Sequence, residues 1–291
     1  MSAIASEIAS QPACWRKAAE MIPGLDAELP PEGERVAVVG CGTSLHVARA
    51  YAALREAAGQ GQTDAFPASE FPGTRTYDRV MAITRSGTTT EVLRVLGGLE
   101  PGSRVLITAD ASSPAVSLVE ARVLLDFADE RSVVQTRFAT SVLAMLRAHL
   151  GEDLAPTIAA AERALEDPLP ADPEDIDHAV FLGHGWTVGV AEEAALKLRE
   201  ASRTYSEAYP AMEYRHGPIS LAGQRSLVWI LSTPDDGLTR EVRATGAMVR
   251  VATLDALAEL VLAQRLAVAI ADAKGLDPDH PRYLTRSVVL S

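Results

Sequence analysis

Short runs of apolar residues recur along the chain, and longer segments with apolar residues at helical spacing separate them. The strands that these runs predict lie at residues 36–39, 80–83, 104–108, 123–125, 179–182, 227–231 and 248–251. Continuous apolar runs, as opposed to alternating ones, are typical of parallel strands that helices cover on both faces. The pattern therefore predicts an α/β protein with parallel sheets.

The two halves of the chain resemble each other in sequence. The segment VAVVGCGTSLHVARAYAALREAA, which begins at Val36, aligns with AVFLGHGWTVGVAEEAALKLREAS, which begins at Ala179. Each segment reads as a strand, a glycine turn and a long Ala-rich helix. ASEF at Ala68 has its counterpart in SEAY at Ser206. We therefore predict two tandem three-layer αβα lobes with flavodoxin-like parallel sheets, related by internal duplication.

Changes in composition indicate where these lobes begin and end. Residues 1–30 are predicted to form an N-terminal helical segment, which two consecutive prolines close. Residues 31–166 form the predicted first lobe, and Ala and Leu recur at helical spacing over residues 131–166. The proline-rich, acidic residues 167–178 are typical of a linker. Residues 179–291 are then the second lobe with a C-terminal tail.

Two hydroxyl-rich glycine turns are the first candidate site. GCGTS, residues 40–44, and TRSGTT, residues 84–89, each follow a predicted strand and precede a predicted helix. Backbone N–H groups, hydroxyls and the helix dipole together favour an anion at such a turn. In the second half the corresponding sequence is STPDD, residues 232–236, whose aspartates would repel phosphate. We therefore expect the first lobe to hold the phosphate of a small molecule.

Composition and charge narrow the class of protein. The net charge of the 291 residues is −12 and the basic residues are scattered, which argues against nucleic acid as a partner. No signal-peptide pattern and no run of about 20 apolar residues occurs, so we predict a cytoplasmic protein without a membrane span. Cys14 and Cys41 are too few for a disulfide framework, and the six histidines form no metal-binding motif. No cofactor or metal is expected.

Charged side chains in the second half suggest acid–base chemistry. Glu193, Lys197 and Glu200 share one face of a predicted helix with Leu196. That face is either a solvent-exposed row of ion pairs or the wall of a cleft. His216 precedes Gly-Pro and is either a surface histidine or a catalytic one. A carboxylate and a histidine near a phosphate site suit proton abstraction next to a carbonyl.

Several motifs in matching order carry a family resemblance. The chain resembles the sugar isomerase (SIS) phosphosugar-binding family over nearly its whole length, and it looks most like the isomerase part of glucosamine-6-phosphate synthase. The motifs are CGTS at Cys41, ASEF at Ala68, SGxT at Ser86, EAALKLRE at Glu193, the SEAY…HGP run and DHPRYLTRSV at Asp279.

The resemblance implies roles for individual residues. The positions that match phosphate ligands are Ser44, Thr84, Arg85, Ser86 and Thr89. Those that match residues near the sugar hydroxyls are Thr43 and Gln135, and those that line the cleft are Glu193 and Lys197. Glu200 matches the carboxylate that moves a proton between C1 and C2. His216 matches the ring-opening histidine of a neighbouring subunit, which implies a homodimer with active sites completed across the interface.

Two departures from the family pattern limit what the resemblance implies. Arg286 replaces the family lysine that forms a Schiff base, and a guanidinium stays protonated and forms no imine. Arg286 is still expected to act at the active site by hydrogen bonding an oxyanion. Met1 is followed by Ser2 and not by a nucleophilic cysteine, so amidotransferase activity is not expected.

The sequence thus predicts an enzyme that acts on an amino-sugar 6-phosphate, either a hexosamine or an N-acetylhexosamine 6-phosphate. Abstraction of the C2 proton would give an enediol(ate), followed by isomerisation, deamination or dehydration. Two alternatives stay open. One is an aldose/ketose isomerase of plain hexose 6-phosphates, and the other is a non-catalytic sensor of phosphosugars.

Overall fold

The computed structural model describes residues 2–234 and 237–290. The chain divides into two compact units. The first-sheet unit consists of Ala13–Arg131, Gln135–Leu154 and Thr285–Ser291. The second-sheet unit consists of Met1–Pro12, Ser132–Val134 and Ala155–Leu284. The lobe boundaries drawn from composition stay predictions.

Helices and strands alternate along the described residues. The helices are α1 Ala3–Ala9, α2 Gln11–Glu20, α3 Thr43–Ala57, α4 Thr90–Gly98, α5 Arg137–His149, α6 Ala155–Glu166, α7 Thr187–Ser202, α8 Leu238–Ala244 and α9 Ala256–Ala273. The strands are β1 Val36–Gly40, β2 Thr63–Pro67, β3 Arg79–Ile83, β4 Arg104–Thr108, β5 Ala121–Leu124, β6 His178–Gly183, β7 Tyr205–Pro210, β8 Ser226–Ile230 and β9 Met248–Val251.

The first-sheet unit is built on a parallel sheet of five strands in the order β2-β1-β3-β4-β5. This is the strand order of flavodoxin-like folds. On one face, Val39, Ala82 and Leu106 pack against Val92 and Leu96 of α4. All five residues of β1 are buried, as expected for a strand covered on both faces. The prediction of an α/β protein with parallel sheets is confirmed.

The second-sheet unit contains four parallel strands in the order β7-β6-β8-β9. Leu182 of β6 and Ile230 of β8 pack with Leu238 and Val242 of α8. This order corresponds to β2-β1-β3-β4 of the first sheet. The internal duplication and the three-layer arrangement of each lobe stay predictions.

The two strands that the apolar pattern missed, β2 and β7, both lie at a sheet edge. Each pairs with one neighbour only, so part of it faces solvent and polar residues are tolerated there. Pro67 and Pro210 occupy the last paired positions, where a missing N–H costs little. The structure has the strand β7 at Tyr205–Pro210, where the apolar pattern predicted none.

The helical and linker predictions before the second sheet need smaller changes. The helical pattern over residues 131–166 forms two helices, α5 and α6. The predicted linker, residues 167–178, contains a 3₁₀ turn at Pro173–Asp175 and ends on the first residue of β6. No helix within the described residues has both the length and the apolar character that a membrane span requires.

Candidate functional site

The GCGTS turn connects β1 directly to the N-terminus of α3. A Cβ at Gly40 would lie 2.7 Å from the carbonyl carbon of Ser44, so only glycine fits there. Gly42 has a φ of +54° and precedes the first helical residue. Thr43 and Ser44 are therefore buried in the first turn of α3, where backbone N–H groups lack intrahelical acceptors. This geometry suits an anion.

The cysteine of the same turn is poorly suited to nucleophilic chemistry. The side chain of Cys41 is partly buried against the core of the first-sheet unit. Burial, and then the negative charge of Glu91, raises the pKa of the Cys41 thiol. A thiol with a raised pKa carries little thiolate at neutral pH.

The TRSGTT loop joins β3 to α4 and carries an ordered set of hydroxyls. Gly87 has a φ of +61°, and a Cβ there would lie 2.0 Å from Oγ of Ser113. The Gly87 N–H donates to Oγ1 of Thr84 at 3.3 Å. The Thr88 N–H donates to Oγ of Ser86 at 3.3 Å. Since β1 and β3 pair directly, both hydroxyl turns leave neighbouring strands of one sheet.

The Arg85 side chain, predicted to bind phosphate, contacts protein groups in the structure. It is almost completely buried, and its Nη1 lies 3.6 Å from Oε2 of Glu130. Its Nη2 donates to the backbone carbonyl of Arg286 at 3.1 Å. The Arg85 carbonyl accepts from Oγ1 of Thr108 at 3.1 Å, which fixes the loop backbone to β4. A direct contact between Arg85 and phosphate stays a prediction.

Glu130 is a central residue of this region that the sequence did not indicate. Its carboxylate accepts hydrogen bonds from the N–H of Thr136, the hydroxyl of Thr136 at 2.7 Å and the N–H of Arg137 at 2.8 Å. It thereby caps the N-terminus of α5, just after Gln135. Glu130 precedes Thr136 by six residues in the sequence, and this separation matches no local capping motif.

The C-terminal residues place Arg286 in the first-sheet unit. Nη2 of Arg286 lies 2.5 Å from Oδ1 of Asp129, and Nη1 donates to the carbonyl of Glu130. The hydroxyl of Thr88 lies 2.8 Å from Oγ of Ser287. The Arg286 guanidinium is thus held by protein oxygens.

Three charged residues of α7, namely Glu193, Lys197 and Glu200, lie close together in the second-sheet unit and are called the α7 set below. Nζ of Lys197 lies 3.2 Å from Oε1 of Glu193 and 2.6 Å from Oε2 of Glu200. The Lys197 and Glu193 side chains are 1% and 2% exposed, whereas Glu200 is 21% exposed. This burial excludes the solvent-exposed ion-pair interpretation for Glu193 and Lys197. Glu200 is the member of the set that a solute can reach.

The two carboxylates determine the charge of Lys197. Burial alone lowers the pKa of a lysine, but Glu193 and then Glu200 outweigh it, so the net pKa of Lys197 is raised. The ammonium group therefore stays protonated between two carboxylates.

His216 lies at the end of a 3₁₀ turn, Glu213–His216, and is exposed. Gly217, with a φ of +133°, follows it and ends the turn. Its assignment as a ring-opening residue stays a prediction. Asp235 and Asp236, expected to repel phosphate, lie outside the described residues.

The predicted site residues divide between the two units. The first-sheet unit holds Thr43, Ser44, Thr84, Arg85, Ser86, Thr89, Gln135 and Arg286. The second-sheet unit holds Glu193, Lys197, Glu200 and His216. In the part of the chain that the structure describes, no three His, Cys, Asp or Glu residues form a group that could hold a metal ion.

Comparison with known proteins identifies relatives among sugar-phosphate enzymes. Over 307 residues the chain is 30% identical to a glutamine–fructose-6-phosphate aminotransferase of Methanothermobacter thermautotrophicus, covering 89% of this chain and 52% of that protein. It is 28% identical to the Sulfolobus acidocaldarius enzyme of that name, covering 93% and 52%. The chain thus spans about half the length of these relatives. No protein-family model matches it.

Solved structures extend the likeness to the whole chain. A glucosamine-6-phosphate deaminase of Thermotoga maritima has a TM-score of 0.87 at 28% identity, covering 99% of this chain and all of that one. The C-terminal domain of a glucosamine–fructose-6-phosphate aminotransferase from Francisella tularensis has a TM-score of 0.81 at 23% identity, with 97% and 98% covered. The second likeness concerns the fold alone.

Proposed function

We propose that this chain, which belongs to the sugar isomerase (SIS) phosphosugar-binding family, is an enzyme that acts on an amino-sugar 6-phosphate. In the proposed reaction the enzyme abstracts the proton at C2 of the sugar. The observation that carries this proposal is the α7 set. Burying two carboxylates and an ammonium group is costly, and only Glu200 among them is accessible. A carboxylate that a solute can reach, and that contacts a buried ammonium group, is suited to act as a general base.

The phosphate is proposed to bind at the two hydroxyl turns. Its donors would be the side chains of Ser44, Thr84, Ser86 and Thr89, with Arg85 as the nearby cation and the N-terminal N–H groups of α3 and α4. Local dipoles and hydroxyls allow a chain of net charge −12 to bind an anion. Thr43 and Gln135 would bind sugar hydroxyls, and Glu193 and Lys197 would line the sugar site.

The proposed reaction begins once His216, contributed by the second subunit of a homodimer, has opened the sugar ring. The Glu200 carboxylate accepts the C2 proton, the C2–H electron pair forms a C1–C2 double bond, and the C1 carbonyl oxygen becomes the enediolate oxygen. Protonation at C1 then gives the ketose. With a free C2 amine the same step gives a ketimine, which water hydrolyses to ketose and ammonia. With an acylated amine, loss of the C3 hydroxyl gives an unsaturated sugar and water.

Arg286 restricts this chemistry to routes without a Schiff base on its side chain. A guanidinium remains protonated and cannot form an imine with an open ketose. Its proposed contribution is electrostatic, through stabilisation of the enediolate oxygen. Glutamine-dependent glucosamine synthesis is not part of the proposal. The homodimer, the duplication of the lobes and a cytoplasmic setting remain predictions that accompany it.

Product analysis decides between this function and its alternatives. We would incubate the chain with glucosamine, N-acetylglucosamine and glucose 6-phosphates and record product NMR spectra and ammonia release. Conversion of an amino-sugar phosphate supports the proposal, with ammonia marking deamination. Conversion of glucose 6-phosphate alone would replace it with the hexose-phosphate isomerase. Binding of any of them without product would favour a phosphosugar sensor.

The phosphate assignment predicts a binding defect in Ser86→Ala. The substitution removes one hydroxyl donor to a charged group, worth about 1.5–3 kcal/mol, so Kd should rise about 10- to 100-fold. The kcat should change little, since the hydroxyl contacts no reacting bond. Ser117→Ala is the control, because that exposed hydroxyl bonds to the carbonyl of Pro114. Kd would be measured by calorimetry for the wild type, Ser86→Ala and Ser117→Ala. If the three Kd values are equal, Ser86 does not bind the phosphate.

A further inference from the structure

Two arginines and two adjacent carboxylates form one network in the first-sheet unit. Arg85 lies 3.6 Å from the Glu130 carboxylate and donates to the carbonyl of Arg286. Arg286 in turn pairs with Asp129 at 2.5 Å and donates to the carbonyl of Glu130. Residues far apart in sequence are thereby joined, since Arg85 and Arg286 are separated by 201 positions. The network ties residues 285–290, the C-terminal segment, to the loop that follows β3.

The two ion pairs differ in their exposure. The side chains of Arg85 and Glu130 are 1% and 0% exposed, whereas those of Arg286 and Asp129 are 40% and 41% exposed. A buried pair is held by the surrounding protein and depends on both partners. The exposed pair is screened by solvent and contributes less. Arg85 is therefore held firmly by Glu130 while it donates to the C-terminal segment, whereas solvent weakens the pairing of Arg286 with Asp129.

The same segment contacts the hydroxyl loop directly. The Thr90 N–H donates to the carbonyl of Val288 at 3.2 Å, and the Leu290 N–H donates to Oγ1 of Thr90 at 2.9 Å. The hydroxyl of Thr88 lies 2.8 Å from Oγ of Ser287 and 2.9 Å from Oγ of Ser86. The position of the C-terminal segment thus influences how the Ser86 hydroxyl is oriented.

We propose that Arg85 is a positioning residue, whose guanidinium holds the C-terminal segment against the hydroxyl loop and so orients Ser86. The planar guanidinium serves two partners with different nitrogens, since Nη1 forms an ion pair with Glu130 at 3.6 Å and Nη2 donates to the carbonyl of Arg286. Lysine has a single point charge and cannot reproduce this fork. In this role Arg85 acts on a bound phosphate through Ser86. Only this consequence for phosphate rests on the proposed function.

Hydrogen exchange measures the anchoring without any substrate. In Arg85→Gln, exchange in the peptide that contains residues 285–290 should become at least about 10-fold faster, because its local opening becomes easier. Arg286→Gln should accelerate exchange of the same peptide to a smaller extent. The control is Arg147→Gln, which removes a buried arginine that pairs with Glu152 at the other end of α5. In this control the rate of hydrogen exchange of residues 285–290 should be the same as in the wild type.

Further outcomes keep the proposal falsifiable. If Arg85→Gln does not fold, Arg85→Lys replaces it and should show the same acceleration, because lysine cannot serve both partners. Unchanged exchange of residues 285–290 in a folded Arg85 variant would overturn the proposal. Since no ligand is present, this result is independent of whether the chain turns over a sugar phosphate.

Binding distinguishes positioning from direct phosphate contact. With glucosamine 6-phosphate, the effects of Arg85→Gln and Arg286→Gln on Kd should be non-additive, because both act through the C-terminal segment. The positioning role would be rejected by two results together. The effects of the two substitutions on Kd would be additive, and Arg85→Gln would also weaken the binding of inorganic phosphate to a chain that lacks residues 285–291. Arg85 would then be a direct ligand of the phosphate.

Discussion

Glu200→Gln is expected to lower kcat by about 10²- to 10⁴-fold, the usual contribution of a general base. The amide has nearly the same shape as the carboxylate and keeps an oxygen for Lys197, which lies 2.6 Å from Oε2 of Glu200. It cannot accept a proton from C2. Binding of the sugar phosphate should therefore change little, because the proposed phosphate donors belong to the first-sheet unit.

Parallel measurements of binding and turnover test this prediction. Calorimetry gives Kd for glucosamine 6-phosphate, and the product assay gives kcat. Glu192→Gln is the matched control, since it makes the same change at a carboxylate of the same helix to which the proposed function gives no role. Retained turnover in Glu200→Gln would reject the assignment of the base. Loss of binding together with turnover would point to a structural role.

Lys197→Met is expected to destabilise the protein by about 3–5 kcal/mol, because it leaves a buried carboxylate without its counterion. Glu193 is 2% exposed and lies 3.2 Å from Nζ of Lys197. In the wild type the pKa of Lys197 is raised, so its stabilising contribution is present below the unfolded pKa of about 10.4 and is lost only at higher pH. Between pH 5 and 8 this contribution should be constant.

The pH dependence of the variant has a definite sign. Without the cation, burial disfavours the charged form of the Glu193 carboxylate, and protonation of Glu193 relieves the buried charge. The stability difference from wild type should therefore shrink as pH falls from 8 to 5 in chemical denaturation.

A double variant serves as the control for this prediction. Glu193→Gln combined with Lys197→Met removes both buried charges and should recover much of the lost stability. Lys17→Met, at an exposed lysine, should cost little. If Lys197→Met is as stable as Lys17→Met at pH 8, the ammonium group does not hold the carboxylates as the structure indicates.

The strands in the sheet interiors could be predicted from their apolar runs, whereas the edge strands β2 and β7 could not. β1, β3, β4 and β8 are continuous apolar runs because neighbouring strands and packed helices bury them. An edge strand has one pairing partner and partial exposure, which allows the polar sequence YSEAYP of β7. The sequence of β7 therefore lacks the apolar pattern from which a strand could be predicted.

The candidate site shows the same division between local and distant information. The hydroxyl turns are local, because Gly40 and Gly87 each meet a steric requirement within a strand–turn–helix unit. The position of Arg286 depends on contacts across more than 150 residues, which no local spacing encodes. The spacing of Glu193, Lys197 and Glu200 predicted a shared face, but its burial depends on tertiary packing.

Solvent exchange at C2 is the most direct test of the central claim. The wild-type chain and Glu200→Gln would be incubated in D₂O with glucosamine, N-acetylglucosamine and glucose 6-phosphates, and the C2 hydrogen followed by proton NMR. The account predicts loss of the C2 signal of an amino-sugar phosphate with the wild type and its retention with Glu200→Gln. If the wild type binds these sugars, as thermal shifts would report, but neither exchanges the C2 hydrogen nor forms product, the chain is a phosphosugar-binding protein and not an enzyme.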